Sequence, residues 1–403
     1  MASDARVGLV HRLRIRAIGR LRRSRFLPAG MPDKLTDEHR LGRPFEQQVM
    51  LYFPTTRDSL YQLRPWFHAL QALDAVHPLV CVFKDSRTAR VVRDETGLDC
   101  VTLARYGQLD EILSLSDVKL ALYVNHDPIN FESLRFTSMV HVYLGHGDSD
   151  KGVSVSNQVK AYDRCFLAGQ AALDRTTTAV MLYDAAAHSV LIGQPQLDGA
   201  PAVTATPDPH RPTVLYAPTW EASQPSVSYG SLETHGEALV RALTGSYRVV
   251  YRPHPLNGVI RSSYAAADAA VRALADRVDT PDVPLEQSFA DADLLVTDVS
   301  AVTLTWLPTG KPLLVTTPLV PYPPSALMDV VPLLASHDDV AAIVAEQLAT
   351  DPTGSARAAL IEYYLGDPTP GVATARFVAA CADAMALRDT VWAERRAAGA
   401  TGP

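Results

Sequence analysis

Residues 145–152 read Gly145-His146-Gly147-Asp148-Ser149-Asp150-Lys151-Gly152. Flanking glycines let the backbone be approached closely and an imidazole titrates near neutrality, so His146 has the make-up of a general base. Asp148 or Asp150 is placed to orient that imidazole or to cap a following helix, and Asp148, Ser149 and Lys151 to meet an acceptor or a phosphate. The same residues also make an ordinary tight turn in which His146 closes a strand.

Three more clusters have the same character. Ala217-Pro218-Thr219-Trp220-Glu221 offers the Thr219 hydroxyl and exposed amides to a phosphate, or is a plain structural turn. Arg252-Pro253-His254-Pro255 mounts a guanidinium and an imidazole on a backbone fixed by two prolines, suited to phosphate oxygens, or is a braced loop with a satisfied histidine. Thr297-Asp298-Val299-Ser300 leads into a helical pattern that Asp298 or Ser300 can cap, with free amides and a positive dipole end suited to a diphosphate. All four clusters follow apolar, β-branched runs. In open parallel sheets ligands bind outside the carboxyl ends of strands, so the clusters are expected around one cleft.

The elements that must position them alternate regularly. Strands are expected at 48–53, 78–83, 118–124, 139–144 and 162–167, with helices near 58–74, 86–96 and 169–183. Residues 193–212 hold five prolines and no period and read as a flexible linker. The alternation then restarts, with strands at 213–217, 247–251, 293–296 and 312–316 and helices near 230–243, 258–275, 285–290 and 300–307. Helices near 337–349 and 372–394 close the chain, the last able to pack back across the domain boundary. The expected fold is α/β, two Rossmann-like doubly wound domains facing a cleft. Its parts are a basic extension (1–40), an acceptor domain (41–192), the linker (193–212), a nucleotide-donor domain (213–385) and a helix end with a tail (386–403).

Composition narrows the class. With 403 residues, 47% hydrophobic and 20% charged, the chain suits two ordinary cores and excludes a disordered or fibrous protein. Cys81, Cys100, Cys165 and Cys381 are scattered without a CxxC pair, so no zinc site and no disulfide framework are expected, and a reducing cytoplasm fits. The net charge of −7 hides an asymmetry, because residues 1–30 carry eight arginines and one acid. The acidic remainder argues against nucleic-acid binding. Residues 10–26, VHRLRIRAIGRLRRSRF, interleave arginine with aliphatic residues, as a helix lying on an anionic membrane surface does, or a solvated tail. No apolar core of a secretory signal follows the arginines, and the charge-poor stretch 312–328 contains five prolines and cannot span a membrane as a helix.

Taken in order and spacing, the four clusters resemble the CDP-glycerol glycerophosphotransferase family of teichoic-acid and capsule assembly, over about residues 48–385. His146 to Lys151 resembles the family's His-Gly-x-Ser-x-Lys element, and Leu215 to Thr219 its Leu-Tyr-Ala-Pro-Thr strand end. Arg252 to Pro255 resembles Arg-x-His-Pro, and Thr297 to Ala301 with Lys311-Pro312 resembles Thr-Asp-Tyr-Ser-Ser followed by Lys-Pro. The resemblance implies a GT-B fold, a CDP-activated polyol phosphate donor held mainly by the second domain, and peripheral attachment to the cytoplasmic membrane face. It implies His146 as base toward a hydroxyl of a lipid-linked or polymer acceptor, with His254 a second catalytic group. It implies Arg252 and His254 on the diphosphate, Thr219, Thr297, Asp298 and Ser300 as donor-binding groups, and no metal or other cofactor.

Departures from the family pattern bear on substrate more than on reaction class. Val299 replaces its tyrosine, Ala301 its second serine, Thr305 a usual acid one turn into the helix, and Asp148 a common threonine. The missing acid, able to hold ribose or polyol hydroxyls, supports an alternative reading as a GT-B glycosyltransferase using a nucleotide sugar. A degenerate relative that binds an envelope precursor without turnover is the third reading, against which the joint presence of His146, Arg252 and His254 argues.

Overall fold

The computed structural model describes residues 27–199, 203–205, 210–222 and 228–398. The Arg-rich segment 10–26, parts of the expected linker and the tail from residue 399 lie outside the described residues.

Uninterrupted apolar runs of four or five residues are buried on both faces when they form parallel strands, and that is where these runs go. β1 (Val49–Phe53), β2 (Leu79–Phe83), β3 (Asp99–Thr102), β4 (Leu120–Tyr123), β5 (Val140–Tyr143), β6 (Arg164–Leu167) and β7 (Ser189–Leu191) form one sheet in the order β3-β2-β1-β4-β5-β6-β7. β8 (Thr213–Ala217), β9 (Arg248–Tyr251), β10 (Arg277–Val278), β11 (Leu294–Thr297), β12 (Leu313–Thr316) and β13 (Leu333–Leu334) form the other, in the order β10-β9-β8-β11-β12-β13. Every pairing is parallel, with Val49 opposite Leu79 and Leu120, and Thr213 opposite Arg248. Residues alternate between the two faces: Val49, Leu51 and Phe53 enter one core with Trp66 and Leu70, while Met50 and Tyr52 enter another with Ile112 and Tyr123. In the second sheet Leu215 and Ala217 face Trp306 and Leu327, and Val214 and Tyr216 face Tyr251 and Tyr264. The molecule has the two doubly wound Rossmann-like domains the alternation implied.

Several elements differ from the sequence expectation. The helix expected at 58–74 is broken into Leu60–Leu63 and Phe67–Asp74 with one 3₁₀ turn, Arg64–Trp66, between, because Pro65 lacks the N–H an unbroken helix needs. The helix expected at 169–183 spans Gln170–Ala179. β3, β7, β10 and β13 escaped the reading; β10 and β13 are two residues each, and β3 begins two residues after Gly97 ends a helix at φ +76. The helix Tyr106–Leu115 also lacked a turn signal before it. The linker is tied rather than free where it is described. Residues Pro195–Asp198 form a helical turn whose Asp198 accepts bonds from Gly371 N at 2.9 Å and Thr374 N at 2.7 Å, starting the last helix, Val372–Ala397. That helix returns to the first domain, where Phe377, Cys381 and Met385 join the core of Trp66 and Phe166, so residues 372–385 are seated on the first domain rather than the second.

Candidate functional site at the domain cleft

His146 stands two residues beyond Leu144, where β5 gives way to a loop. Gly145 takes φ +68, a left-handed turn that a side chain would strain, and its carbonyl accepts a 2.7 Å bond from the Trp66 indole. At Gly147 an added Cβ would come within 3.2 Å of the Ala301 Cβ, so this glycine lets the loop approach the other domain's helix start. His146 Nδ1 lies 3.3 Å from the Val124 carbonyl. In the tautomer that makes this bond Nδ1 donates, and Nε2 carries the lone pair. Crowding by protein atoms depresses its pKa, and the Val124 carbonyl pulls it partly back up. The residue nonetheless keeps an exposed surface, as a side chain on the floor of an open cleft does.

His254 presents the complementary arrangement. Its Nδ1 accepts the Leu256 N–H at 3.1 Å, so in the neutral ring Nε2 carries the proton. Its ring is stacked on Trp220, with centroids 6.2 Å apart. Burial lowers its pKa to about 4, helped by Lys151 and then by His146. Tyr61 stands between the two histidines, edge-on to His146 at 6.3 Å and to His254 at 5.9 Å. Lys151 crosses the cleft to donate to Thr219 Oγ1 at 2.7 Å, its ammonium brought down to about 8 chiefly by burial. His146, Lys151, Thr219 and His254 thus converge, with Tyr61 and Trp220 among them.

The other sequence candidates are placed differently. Thr297 Oγ1 donates to the Ala217 carbonyl at 2.7 Å, and the fully buried Asp298 accepts from Thr219 N at 2.7 Å, Ser231 N at 3.2 Å and Thr316 Oγ1 at 2.5 Å. Both side chains are consumed in tying β8 to β11 and β12, so neither offers a group to a donor and Asp298 does not cap the helix. A carboxylate that deep persists only when hydrogen-bonded; burial raises its pKa and those bonds lower it. Ser300 sits at the N-cap of Ala301–Trp306 without a capping bond, its hydroxyl 3.4 Å from that of Thr297. Arg252 donates to Ser288 Oγ at 2.9 Å, and burial lowers its pKa against the pull of Asp279 and Glu286.

Asp148 and Asp150 neither orient the imidazole nor cap a helix, and Asp148 is not free to meet an acceptor. Both pair with Arg175, because a buried carboxylate takes the nearest cation. Asp150 also receives bonds from the hydroxyls of Ser325 and, at 2.7 Å, Tyr364, which fasten the two domains together. Ser149 Oγ is bonded to Ser154 Oγ at 2.6 Å.

Three residues of the site escaped the sequence reading. Tyr61 lies on a short helix with no motif around it. Glu221, 1% exposed, accepts from Ile260 N at 2.8 Å and Arg261 N at 2.9 Å and so anchors the start of the helix Ser262–Leu274. His126 follows β4 as Val124-Asn125-His126-Asp127-Pro128, a strand end of the same kind as the others, and that position was the available signal. Among the described residues no three His, Cys, Asp or Glu side chains are grouped to hold a metal ion, and no helix is long and apolar enough to cross a membrane.

Comparison with known proteins bears on this arrangement. Over its whole length the fold is similar to the wall teichoic acid polymerase TagF, with a TM-score of 0.57 at 12% identity, covering 96% of this chain and 99% of that one. It is similar also to a glycosyltransferase from Rickettsia africae (TM-score 0.55, 10% identity, 85% of this chain and 99% of that one). Likewise, MnaA of S. aureus, solved with UDP, aligns with a TM-score of 0.55 at 14% identity over 82% of this chain and 95% of that one. These likenesses establish the GT-B architecture. Among curated proteins none matches the chain by sequence. The family resemblance carried by the motifs is nevertheless found again in the second domain, where residues 191–320, which contain the Thr219, Arg252–His254 and Thr297–Ser300 clusters, match the CDP-Glycerol:Poly(glycerophosphate) glycerophosphotransferase family model.

Proposed function

We propose that the protein transfers a glycerol phosphate or related polyol phosphate from a CDP-activated donor to a hydroxyl of a lipid-linked or polymeric cell-envelope acceptor. The observation that carries this reading is the pair of cleft histidines in opposite tautomers, His146 with a lone pair on Nε2 and His254 with a proton there. His146 takes the proton of the acceptor hydroxyl as its oxygen attacks the donor's β-phosphorus. The bond from that phosphorus to the bridging oxygen breaks, and the electron pair leaves on CMP. His254 Nε2–H, the Lys151 ammonium and Arg252 donate to the phosphoryl oxygens as charge moves onto the leaving group. Thr219 and Ser300 supply hydroxyls at the same strand ends, and the donor itself provides the activated leaving group, so the reading calls on no further cofactor. The match of residues 191–320 to the glycerophosphotransferase family supports the donor class. Work on a lipid-linked acceptor places the protein at the cytoplasmic membrane face, where the Arg-rich residues 10–26 supply the charge for a peripheral contact.

A nucleotide-sugar donor is the second reading, favoured by Thr305. Its hydroxyl is turned back onto the Ala301 carbonyl at 2.6 Å and replaces an acid able to hold ribose or polyol hydroxyls. Calorimetric titration with CDP-glycerol, CDP and UDP in parallel decides between them. The expected result is at least a tenfold preference for the cytidine ligands, about 1.4 kcal/mol. A preference for UDP overturns the proposal in favour of a glycosyltransferase, and no nucleotide binding points to a chain that has kept the fold without turnover.

A further inference from the structure

The transfer reaction gives Tyr61 no step, yet its ring lies against both histidines that carry the reaction. It meets His146 edge-on, centroids 6.3 Å apart and planes at 89°, and His254 in the same way at 5.9 Å and 77°. His146 follows a strand of the first sheet and His254 a strand of the second, so one aromatic ring bridges the gap between the base and the group that holds the phosphoryl oxygens. The segment carrying the ring is fastened to the surroundings of His146 on two sides. Gln62 Oε1 accepts from Asn125 Nδ2 at 2.7 Å, one residue past the Val124 carbonyl that bonds His146, and Trp66 Nε1 donates to the Gly145 carbonyl at 2.7 Å. Leu60 and Leu63, in the same short helix, are buried. The first domain therefore sets the position of the ring, and its contact with His254 spans the cleft.

What the ring brings is carbon. Burial raises the pKa of its phenol, against the pull of Gln62, so the hydroxyl keeps its proton at neutral pH and is neither a base nor a charge; Gln62 Nε2 donates to it at 3.3 Å. The transfer has a competitor that carbon can suppress. If water takes the acceptor's place, its oxygen attacks the β-phosphorus, His146 takes one of its protons and later yields it to solvent, and the bond to the bridging oxygen breaks to release glycerol phosphate and CMP. A water held in place needs about two to four polar partners. One lodged between these imidazoles meets aromatic carbon on the flank they share, whereas an acceptor hydroxyl is delivered by the rest of its molecule. Apolar surface that closes a site protects a reactive donor from hydrolysis.

We propose that Tyr61 discriminates acceptor from water: its ring, held between His146 and His254, bars water from the position of the attacking hydroxyl, so that the phosphoryl group passes to the acceptor. This rests on the transferase reading and adds to it the control of hydrolysis at the same site.

The test measures CMP released from CDP-glycerol without acceptor, and glycerol phosphate incorporated into a synthetic lipid-linked glycerol phosphate oligomer. Tyr61→Ala is expected to release CMP to water about tenfold faster than wild type while incorporation falls. Tyr61→Phe, which keeps the ring and removes the hydroxyl, is expected to keep the wild-type ratio of hydrolysis to transfer. Unchanged or slower hydrolysis in Tyr61→Ala overturns the inference, since a residue that only supports the fold lowers both rates together. An equal rise in Tyr61→Phe overturns it too, because the effect then belongs to the hydroxyl. If wild-type protein releases no CMP with or without acceptor, the transferase reading has failed instead. NMR titration of the His254 ring, assigned by its loss in His254→Gln, then tests the inference without catalysis. Water admitted in Tyr61→Ala is expected to move that pKa from about 4 toward the ordinary histidine value of about 6.5, with Lys151 and His146 still facing the ring, while Tyr61→Phe leaves it in place. An unmoved His254 in Tyr61→Ala overturns the inference.

Discussion

On the second domain's side of the cleft, one carboxylate, Asp298, takes hydrogen bonds from Thr219 just beyond β8, from the Ser231 turn and from β12, and is fully buried. On the first domain's side, His146 is held by one ring hydrogen bond of 3.3 Å on a loop with positive φ at both flanking glycines. The difference separates two jobs. On the proposed function the second domain's side would hold a charged nucleotide donor, a ligand that rewards a preformed mount, and the Asp298 knot fixes the strand ends around it. In the proposed reaction His146 would act as a base that gains and loses a proton and follows an acceptor, and its sparse bonding suits that role. Asp148 and Asp150, which look in sequence like partners of the base, serve the knot's purpose instead by fastening the domains through Arg175, Ser325 and Tyr364.

Breaking the knot has the largest expected effect. Asp298→Ala orphans two buried N–H groups and a hydroxyl at about 1–3 kcal/mol each, so urea denaturation should show a loss of about 3–9 kcal/mol and donor binding should go with it. Unchanged stability would mean that the mount is held by something other than this carboxylate. His146→Ala should leave the denaturation midpoint and the affinity for CDP-glycerol nearly untouched while kcat falls about a hundred- to ten-thousand-fold. Equal losses of donor affinity in His146→Ala and Arg252→Ala would erase the contrast between the two sides.

Acidification sharpens the comparison with the smallest effect. His126 and His254 are both held near about 4, below the ordinary histidine value of about 6.5, by burial first, with His146 facing each and Lys151 also facing His254. Between those values the unfolded chain binds protons that the folded chain refuses. Their contribution is therefore complete above about pH 6.5 and is lost as pH falls toward about 4. Tm should drop by a few degrees between about pH 7 and pH 5. In His254→Gln the slope should be shallower; an identical slope would show that this ring is not kept neutral by the fold.

How much of this was legible depended on the length of the signal. Strands such as Val49–Phe53 and Thr213–Ala217 announce themselves because a parallel strand buried on both faces needs an unbroken apolar run. The two-residue β10 and β13 have no room for a pattern. Tyr61 gave no signal either, since a tyrosine on a proline-broken helix becomes part of the cleft only when another domain's histidine arrives beside it.

The sequence by itself determined the two-sheet architecture and the strand ends that carry His146, Thr219, Arg252, His254 and Ser300, because periodicity and backbone-restricting residues are local properties. Which polar side chains face the cleft was decided only by the tertiary structure. Thr297 and Asp298 turned inward because their neighbours offered buried donors and acceptors that had to be satisfied, and Asp148 and Asp150 turned to Arg175 for the same reason. His146, Lys151, Thr219 and His254 were left facing one another across the cleft.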